Sequence, residues 1–278
     1  MNKKQWSIEE EKYISKNINK LSSIDIAKKL NRTPSSVRCK ERRMGLIHLE
    51  KNQLTRDYFH SIDNEFKAYW LGFLMADGWI SASNNNYEVG VELQIGDIEH
   101  LRMFNKCLSG NLEVKIRTRN NNFIGHNFNT CIIRIYSKQM YDDLFSLGFN
   151  SSKSFNIKIL KNIDKNMYKY IIRGYFDGNG CVRLNKERKC LSFDFCSASI
   201  DILNDIREIL YNNNINSYIV DEKDKKTYRL YIKGMYNSYK FYKYIYDNAD
   251  IYLKRKYIKS NNIINNNNIT ERINKQVK

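Results

Sequence analysis

The sequence predicts an α+β protein: two pseudo-symmetric αββαββα repeats behind a small all-α three-helix domain. Three observations predict it. A set of apolar and glycine positions recurs at an offset of 102 residues, carrying Gly72 onto Gly174 and Asp77 onto Asn179. Within each copy the hydrophobic period switches between the helical one and strict alternation, as in Val89, Val91, Leu93 and Ile95. The first 46 residues instead carry helix-start signals and no alternating run.

In the first 46 residues, Ser7 and Glu10 have capping-box spacing, so a helix is expected from Ile8 to about Asn19. Ser22 or Ser23 opens a second, Ile24 to Leu30. Thr33 with Pro34 opens a third that ends near Met44-Gly45. Trp6, Tyr13, Ile14, Leu21, Ile26, Ala27, Leu30, Val37 and Met44 are the expected core. The third helix carries Ser35 and Ser36 in its first turn, then Arg38, Lys40, Arg42 and Arg43. Hydroxyls at the start and cations along one helix suit major-groove and phosphate contacts. WSIEE, DIAKKLNRTPSSV and KERRMGL together resemble Myb-like helix-turn-helix modules. Residues 47–60 are expected to be a linker that tracks DNA.

The repeats occupy residues 61–160 and 161–260. Each opens with an apolar helix ending in a Gly turn, WLGFLMADG at 70–78 and IRGYFDGNG at 172–180 when aligned on the final Gly. A strand pair follows in each. The offset of 102 carries Val89, Val91 and Leu93 onto Leu191, Phe193 and Phe195. It also carries Ile98, Leu101, Phe104 and Leu108 onto Ile200, Leu203, Ile206 and Leu210, an amphipathic helix. Beyond a longer Asn-rich turn in the first copy the offset becomes 95. There Arg134, Tyr136, Lys138, Met140 and Tyr141 fall onto Arg229, Tyr231, Lys233, Met235 and Tyr236. A second strand pair and a closing helix complete each unit. Residues 261–278 are Asn-rich and are expected to form a disordered tail.

Composition narrows the partner. The chain has 278 residues, with 47 Lys and Arg against 30 Asp and Glu, a formal charge of +17. Such an excess points to a polyanion, nucleic acid first. No apolar run reaches the roughly 18 residues that a membrane span needs. The basic N-terminus lacks a following apolar core. Six scattered Cys and four His show no zinc spacing, and the Cys suit a reduced, cytosolic setting.

The two Gly turns resemble the LAGLIDADG signature, and the duplicated order behind them resembles single-chain homing endonucleases over residues 61–260. The resemblance implies a saddle on a long double-stranded DNA site, a monomer because both motifs share one chain, and an intracellular phage or bacterial setting. It implies Mg²⁺ or Mn²⁺ held between the motif ends, by Asp77 and Asn179 with the backbone of Ala76, Gly78 and Gly178. The residues fit a helix crossing. Gly72 with Ala76, and Gly174 with Gly178, are i, i+4 pairs of small residues on one face. The following Gly is expected as a left-handed cap. A carboxylate at a helix C-terminus is unfavourable unless a cation offsets it. The eighth letter is Asp77 in one motif and Asn179 in the other, so one carboxylate is replaced by an amide. Asp177, two residues earlier, points away from position 179 at about 100° per residue.

Alternation places Arg134, Tyr136 and Lys138, and Arg229, Tyr231 and Lys233, on one face of each sheet. Lys115, Arg117 and Arg183 extend the expected DNA contacts. The family's basic catalytic residue is expected at Lys138 and Lys233. The readings that follow are a double-strand endonuclease, a nickase, a DNA-binding regulator without cleavage, and an RNA maturase. Met1 and the closing Val277-Lys278 argue against an intein.

Overall fold

The computed structural model describes residues 5–18, 21, 23–44, 46, 54–110, 112–120, 127–149, 163–187, 189–222 and 226–277. Asn19, Ser22, Gly45, residues 47–53 and most of the Asn-rich turn lie outside them. The chain divides into two units, 1–54 and 55–278.

The first unit is three helices: α1 (Ile8–Asn17), α2 (Ser23–Leu30) and α3 (Pro34–Arg43). The capping box forms. Glu10 N donates to Ser7 Oγ at 3.2 Å and Ser7 N to Glu10 Oε2 at 2.9 Å. Thr33 Oγ1 accepts from Ser36 N and starts α3. Ile14, Ile26, Ala27 and Val37 form the core, with Trp6, Tyr13, Leu30 and Leu46 against it. Leu21 is exposed instead of buried; Ile18 takes a core place.

In the second unit α4 (Glu65–Asp77) leads into β1 (Gly78–Ser83) and β2 (Asn86–Gln94). Then come α5 (Ile98–Cys107), β3 (Lys115–Asn120), β4 (Asn127–Tyr136) and α6 (Lys138–Ser146). The second copy follows with α7 (Tyr168–Asn179), β5 (Gly180–Asn185), β6 (Cys190–Ser197), α8 (Ile200–Asn212), β7 (Tyr218–Glu222), β8 (Thr227–Ile232) and α9 (Met235–Tyr246). Each copy forms an antiparallel four-stranded sheet, ordered β1-β2-β4-β3 and β5-β6-β8-β7. Alternation sends Val89, Val91, Cys131, Ile133 and Ile135, and Leu191, Phe193, Phe195, Leu230 and Ile232, into the cores.

The repeat register differs from the sequence alignment by one pleat. Ile80 pairs with Val89, but its counterpart Val182 pairs with Phe193, not Leu191. The first hairpin turns on Asn84-Asn85, both with positive φ, whereas the second spans residues 186–189. Carried across to β4 and β8, this makes Arg134 the counterpart of Tyr231, since Gly90 pairs with Arg134 and Asp194 with Tyr231. Lys138 and Lys233 are therefore not equivalent. Lys138 starts α6, whereas Lys233 precedes Gly234 and α9.

Two boundary expectations are corrected. Residues 55–60 belong to the second unit: Tyr58 and Phe59 are buried, and Thr55 N donates to Leu108 O. Residues 261–277 are helical, in α10 (Lys254–Asn266) and α11 (Ile269–Val277). Ile263, Ile264, Ile269 and Ile273 are buried at helical spacing, which outweighs the polar Asn between them.

Candidate functional site

The site begins at the crossing of α4 and α7. A methyl group at Gly72 would collide with the Ile171 carbonyl, and one at Gly174 with the Tyr69 carbonyl. Backbone thus meets backbone, as the paired small residues predict. At the lower end the Asp77 carboxylate closes on Gly178: a Cβ there would lie 3.3 Å from Asp77 Oδ2 and would overlap the Ala76 side chain. The two helix C-termini, with Asp77 and Asn179, therefore converge.

The glycines after them act differently from expectation. Gly78 (φ −80°) and Gly180 (φ −87°) are extended, not left-handed. Each helix runs directly into a strand. A side chain at Gly78 would strike Leu74, and one at Gly180 would strike Phe176.

Asp177 points inward, as its helical phase predicts. It is fully buried and accepts hydrogen bonds from Tyr246 OH (2.6 Å), Tyr69 OH (2.8 Å) and Leu253 N (2.7 Å). Burial pushes its carboxyl pKa up, against the opposing pull of the Tyr246 and Leu253 hydrogen bonds. Tyr69 OH also meets His100 Nε2 at 2.9 Å. Arg173, equally buried, holds Glu65 of α4 and the carbonyls of Ile245 and Ile251. These groups tie the crossing to the chain beyond α9.

Lys256, on α10, is the residue at this end that the sequence did not single out. It is 6% exposed. Its Nζ donates to Phe176 O (2.7 Å) and Gly178 O (3.1 Å), carbonyls in the last turn of α7. Burial lowers its pKa to about 8, with Asp177 and Asp77 among the groups that oppose the shift. Asn179 Nδ2 lies 3.4 Å from Tyr175 OH. Among the described residues no three His, Cys, Asp or Glu gather as a metal cluster. A cation here would rely on Asp77, backbone carbonyls and DNA phosphate.

Lys138 and Lys233 are not at this end. β1 leaves the crossing at Gly78 and reaches its hairpin five residues later, roughly 17 Å at about 3.3 Å per residue. Lys138 lies beside that hairpin, with Asn85 and Asn86, and pairs with Asp142 at 2.5 Å. Lys233 shares a groove with Asn185 and Cys190 at the corresponding outer end, over the Tyr231 ring. Neither lysine is brought together with Asp77 and Asn179.

The outer faces of both sheets carry the expected cations, latched by carboxylates. Arg134 pairs with Glu88, Arg119 with Glu92, and Lys115 lies 3.8 Å from Glu113. Arg117 sits opposite Thr130 on the same face. In the second sheet, buried Asp194 accepts from Arg183 (2.6 Å) and Arg229 (2.5 Å), and Arg229 also holds Glu222. Tyr231 packs on Tyr218. In the first unit Ser35 and Arg38 are exposed, Ser36 is half-buried, Arg43 is exposed, and Lys40 pairs with Glu11. The Arg42 side chain lies outside the described atoms.

The comparisons agree with this geometry. The description "LAGLIDADG-like domain" matches residues 166–246, and "WhiA LAGLIDADG-like domain" matches residues 66–125. The chain is a two-copy LAGLIDADG protein. The homing endonuclease I-WcaI bound to its DNA recognition sequence superposes with a TM-score of 0.55 at 16% identity, covering 78% of this chain and 96% of that one. It shows the shared fold. I-DmoI, in complex with DNA and manganese, gives a TM-score of 0.46 at 15% identity, over 66% and 97% of the two chains. A probable translation initiation factor IF-2 of Methanocaldococcus jannaschii is 28% identical over 243 residues, 77% of this LAGLIDADG chain. The chain spans 18% of that relative's length. No helix among the described residues is long and apolar enough to cross a membrane.

Proposed function

We propose that this protein binds a long duplex DNA site along its two sheets and hydrolyses a phosphodiester there, using a divalent cation, Mg²⁺ or Mn²⁺, held at Asp77. The observation that carries the reading is the convergence of Asp77 with the α7 terminus at the α4–α7 crossing. An acid at a helix C-terminus adds to the negative end of the dipole, and a cation offsets both. Gly78 N closes the last helical bond of α4 on Leu74 O, and the Ala76 carbonyl beyond it is a second ligand for the same ion. When bound, such an ion activates water and stabilises the leaving oxygen. The chain's own residues position the phosphate: Arg117, Arg134, Arg183 and Arg229 line the outer faces, and the carboxylate partners of the last three fix the guanidinium orientation before DNA arrives. Ser35, Ser36, Arg38, Arg42 and Arg43 of the first unit lengthen the footprint as a helix-turn-helix.

A second reading is a DNA-binding regulator without cleavage. Asn179, which removes one carboxylate, favours it. The test is purified protein with Mg²⁺ and a supercoiled plasmid carrying the gene's flanking DNA rejoined without the insert. Metal-dependent scission lost in Asp77→Asn supports hydrolysis. A tight footprint with no scission supports the regulator.

A further inference from the structure

At the outer end of the second sheet, strand and helix residues meet around a groove. Alternation turns Asn185 of β5, Cys190 of β6 and Lys233 after β8 away from the core, because Val182, Leu191, Phe193 and Ile232 fill it. These outward residues form one wall of the groove. The other wall is helical and carries Lys240 of α9 and Arg272 of α11. Arg272 Nη1 donates to Lys189 O (2.8 Å) in the β5–β6 turn, which ties α11 to the hairpin. Lys240 Nζ donates to Asn214 O (3.2 Å). Asn237, at the start of α9, accepts from Asn216 N at 2.8 Å and donates to Asn216 O. The loop between α8 and β7 is thereby fixed against α9.

The groove differs in charge from the sheet face that it continues. On that face Arg183 and Arg229 are held by Asp194, and Arg229 by Glu222 as well, so carboxylates offset these cations. Among the described residues that line the groove there is no carboxylate. Its lysines are held by neutral groups. The Lys233 ammonium lies over the rings of Tyr231 (4.3 Å) and Tyr218 (5.4 Å), and that of Lys240 over Tyr236 (4.6 Å). A ring face or a carbonyl holds an ammonium in place without neutralising it. Lys233, Lys240 and Arg272 thus gather positive charge around one groove that opens off the sheet, which suits a polyanion.

The strand length fixes which part of a duplex reaches it. β5 leaves the crossing at Gly180, and Asn185 is five residues along, roughly 17 Å at about 3.3 Å per residue. Phosphates of one strand lie about 3.4 Å apart along the helix axis, so the groove stands about five nucleotides from the crossing.

We propose that Lys233, Lys240 and Arg272 clamp the DNA backbone about five nucleotides out from the crossing, on the second repeat's side. Such phosphate contacts set register without reading sequence. The inference rests on the reading above that duplex DNA lies along the two sheets. It gives α11 a part in binding, since that helix brings Arg272 to the hairpin. It also gives Lys233, remote from Asp77, a task other than catalysis.

The test is hydroxyl-radical footprinting of the full chain, without added Mg²⁺, on the gene's flanking DNA rejoined without the insert, beside the salt dependence of binding. Lys233→Gln combined with Lys240→Gln should lose protection over a few nucleotides on one side of the footprint and keep it on the other. The slope of log affinity against log salt should fall by about two phosphate contacts, roughly 1.8. Arg272→Gln should remove about one more, roughly 0.9. Lys233 is exposed and Lys240 half-buried, so the double variant tests the clamp even where Arg272→Gln loosens α11. An unchanged footprint and slope in the double variant, or a uniform weakening across the footprint, overturns the clamp and leaves the DNA reading standing. A natural protein that protects no DNA overturns both.

Discussion

Asp177 and Asn179 are two residues apart on one helix and have opposite fates: the first is sealed under Tyr69 and Tyr246, the second stands at the open end of the crossing. The acid that survives in the second motif is therefore structural. Asp177→Ala should lower stability by about 3–5 kcal/mol, because it leaves two buried hydroxyls and the Leu253 amide without their acceptor. Asp77→Asn should change stability little and remove metal-dependent scission. Thermal unfolding beside plasmid cleavage separates the two.

Gly178 tests the closeness of the helix ends. A methyl there overlaps the Ala76 side chain and crowds Asp77. Gly178→Ala should cost about 1–3 kcal/mol as an overpacked contact. Scission should fall at least tenfold because Asp77 is displaced. Wild-type stability and rate in this variant would refute the close approach.

His100 gives a pH dependence whose sign can be worked out. Burial lowers its pKa to about 4 from 6.5. Between these values the unfolded chain binds the proton and the folded chain does not, so stability falls as pH drops from about 6.5 to about 4. The loss is up to about 3 kcal/mol. Denaturant midpoints measured across that window should flatten in His100→Gln.

On the DNA face, Arg183→Ala should reduce the slope of log affinity against log salt by about one phosphate contact, roughly 0.9. Asp194→Asn should act in the opposite direction on non-specific DNA. It frees Arg183 and Arg229 from a buried carboxylate and raises the net positive charge of the face. Binding to unrelated duplex should tighten relative to the target, measured by competition.

The fold was legible because helix and strand periods are strong, and the Gly turns mark both crossings. What was not legible follows from physics. A two-residue slip keeps every side chain on its face, so alternation alone could not reveal that Val182 pairs with Phe193 or that Lys138 and Lys233 differ in place. Asn-rich composition hid α11, although Ile269 and Ile273 are spaced as one buried stripe. Lys256 reads in the sequence as one cation of a basic run. Its signal was its phase: it lies with Ser260, Ile263 and Ile264 on the buried side of α10, where a lysine needs acceptors.

The hydrogen bonds between α7 and α10 set an order of events during synthesis. The second motif helix is complete at Asn179, but the groups that seal Asp177 and hold the Gly178 carbonyl, from Tyr246 to Lys256, leave the ribosome some 70–80 residues later. Domains fold as the chain emerges. The nascent chain therefore carries an unfinished crossing until α10 has emerged. Competence at the site waits on α10, a segment that follows both αββαββα units.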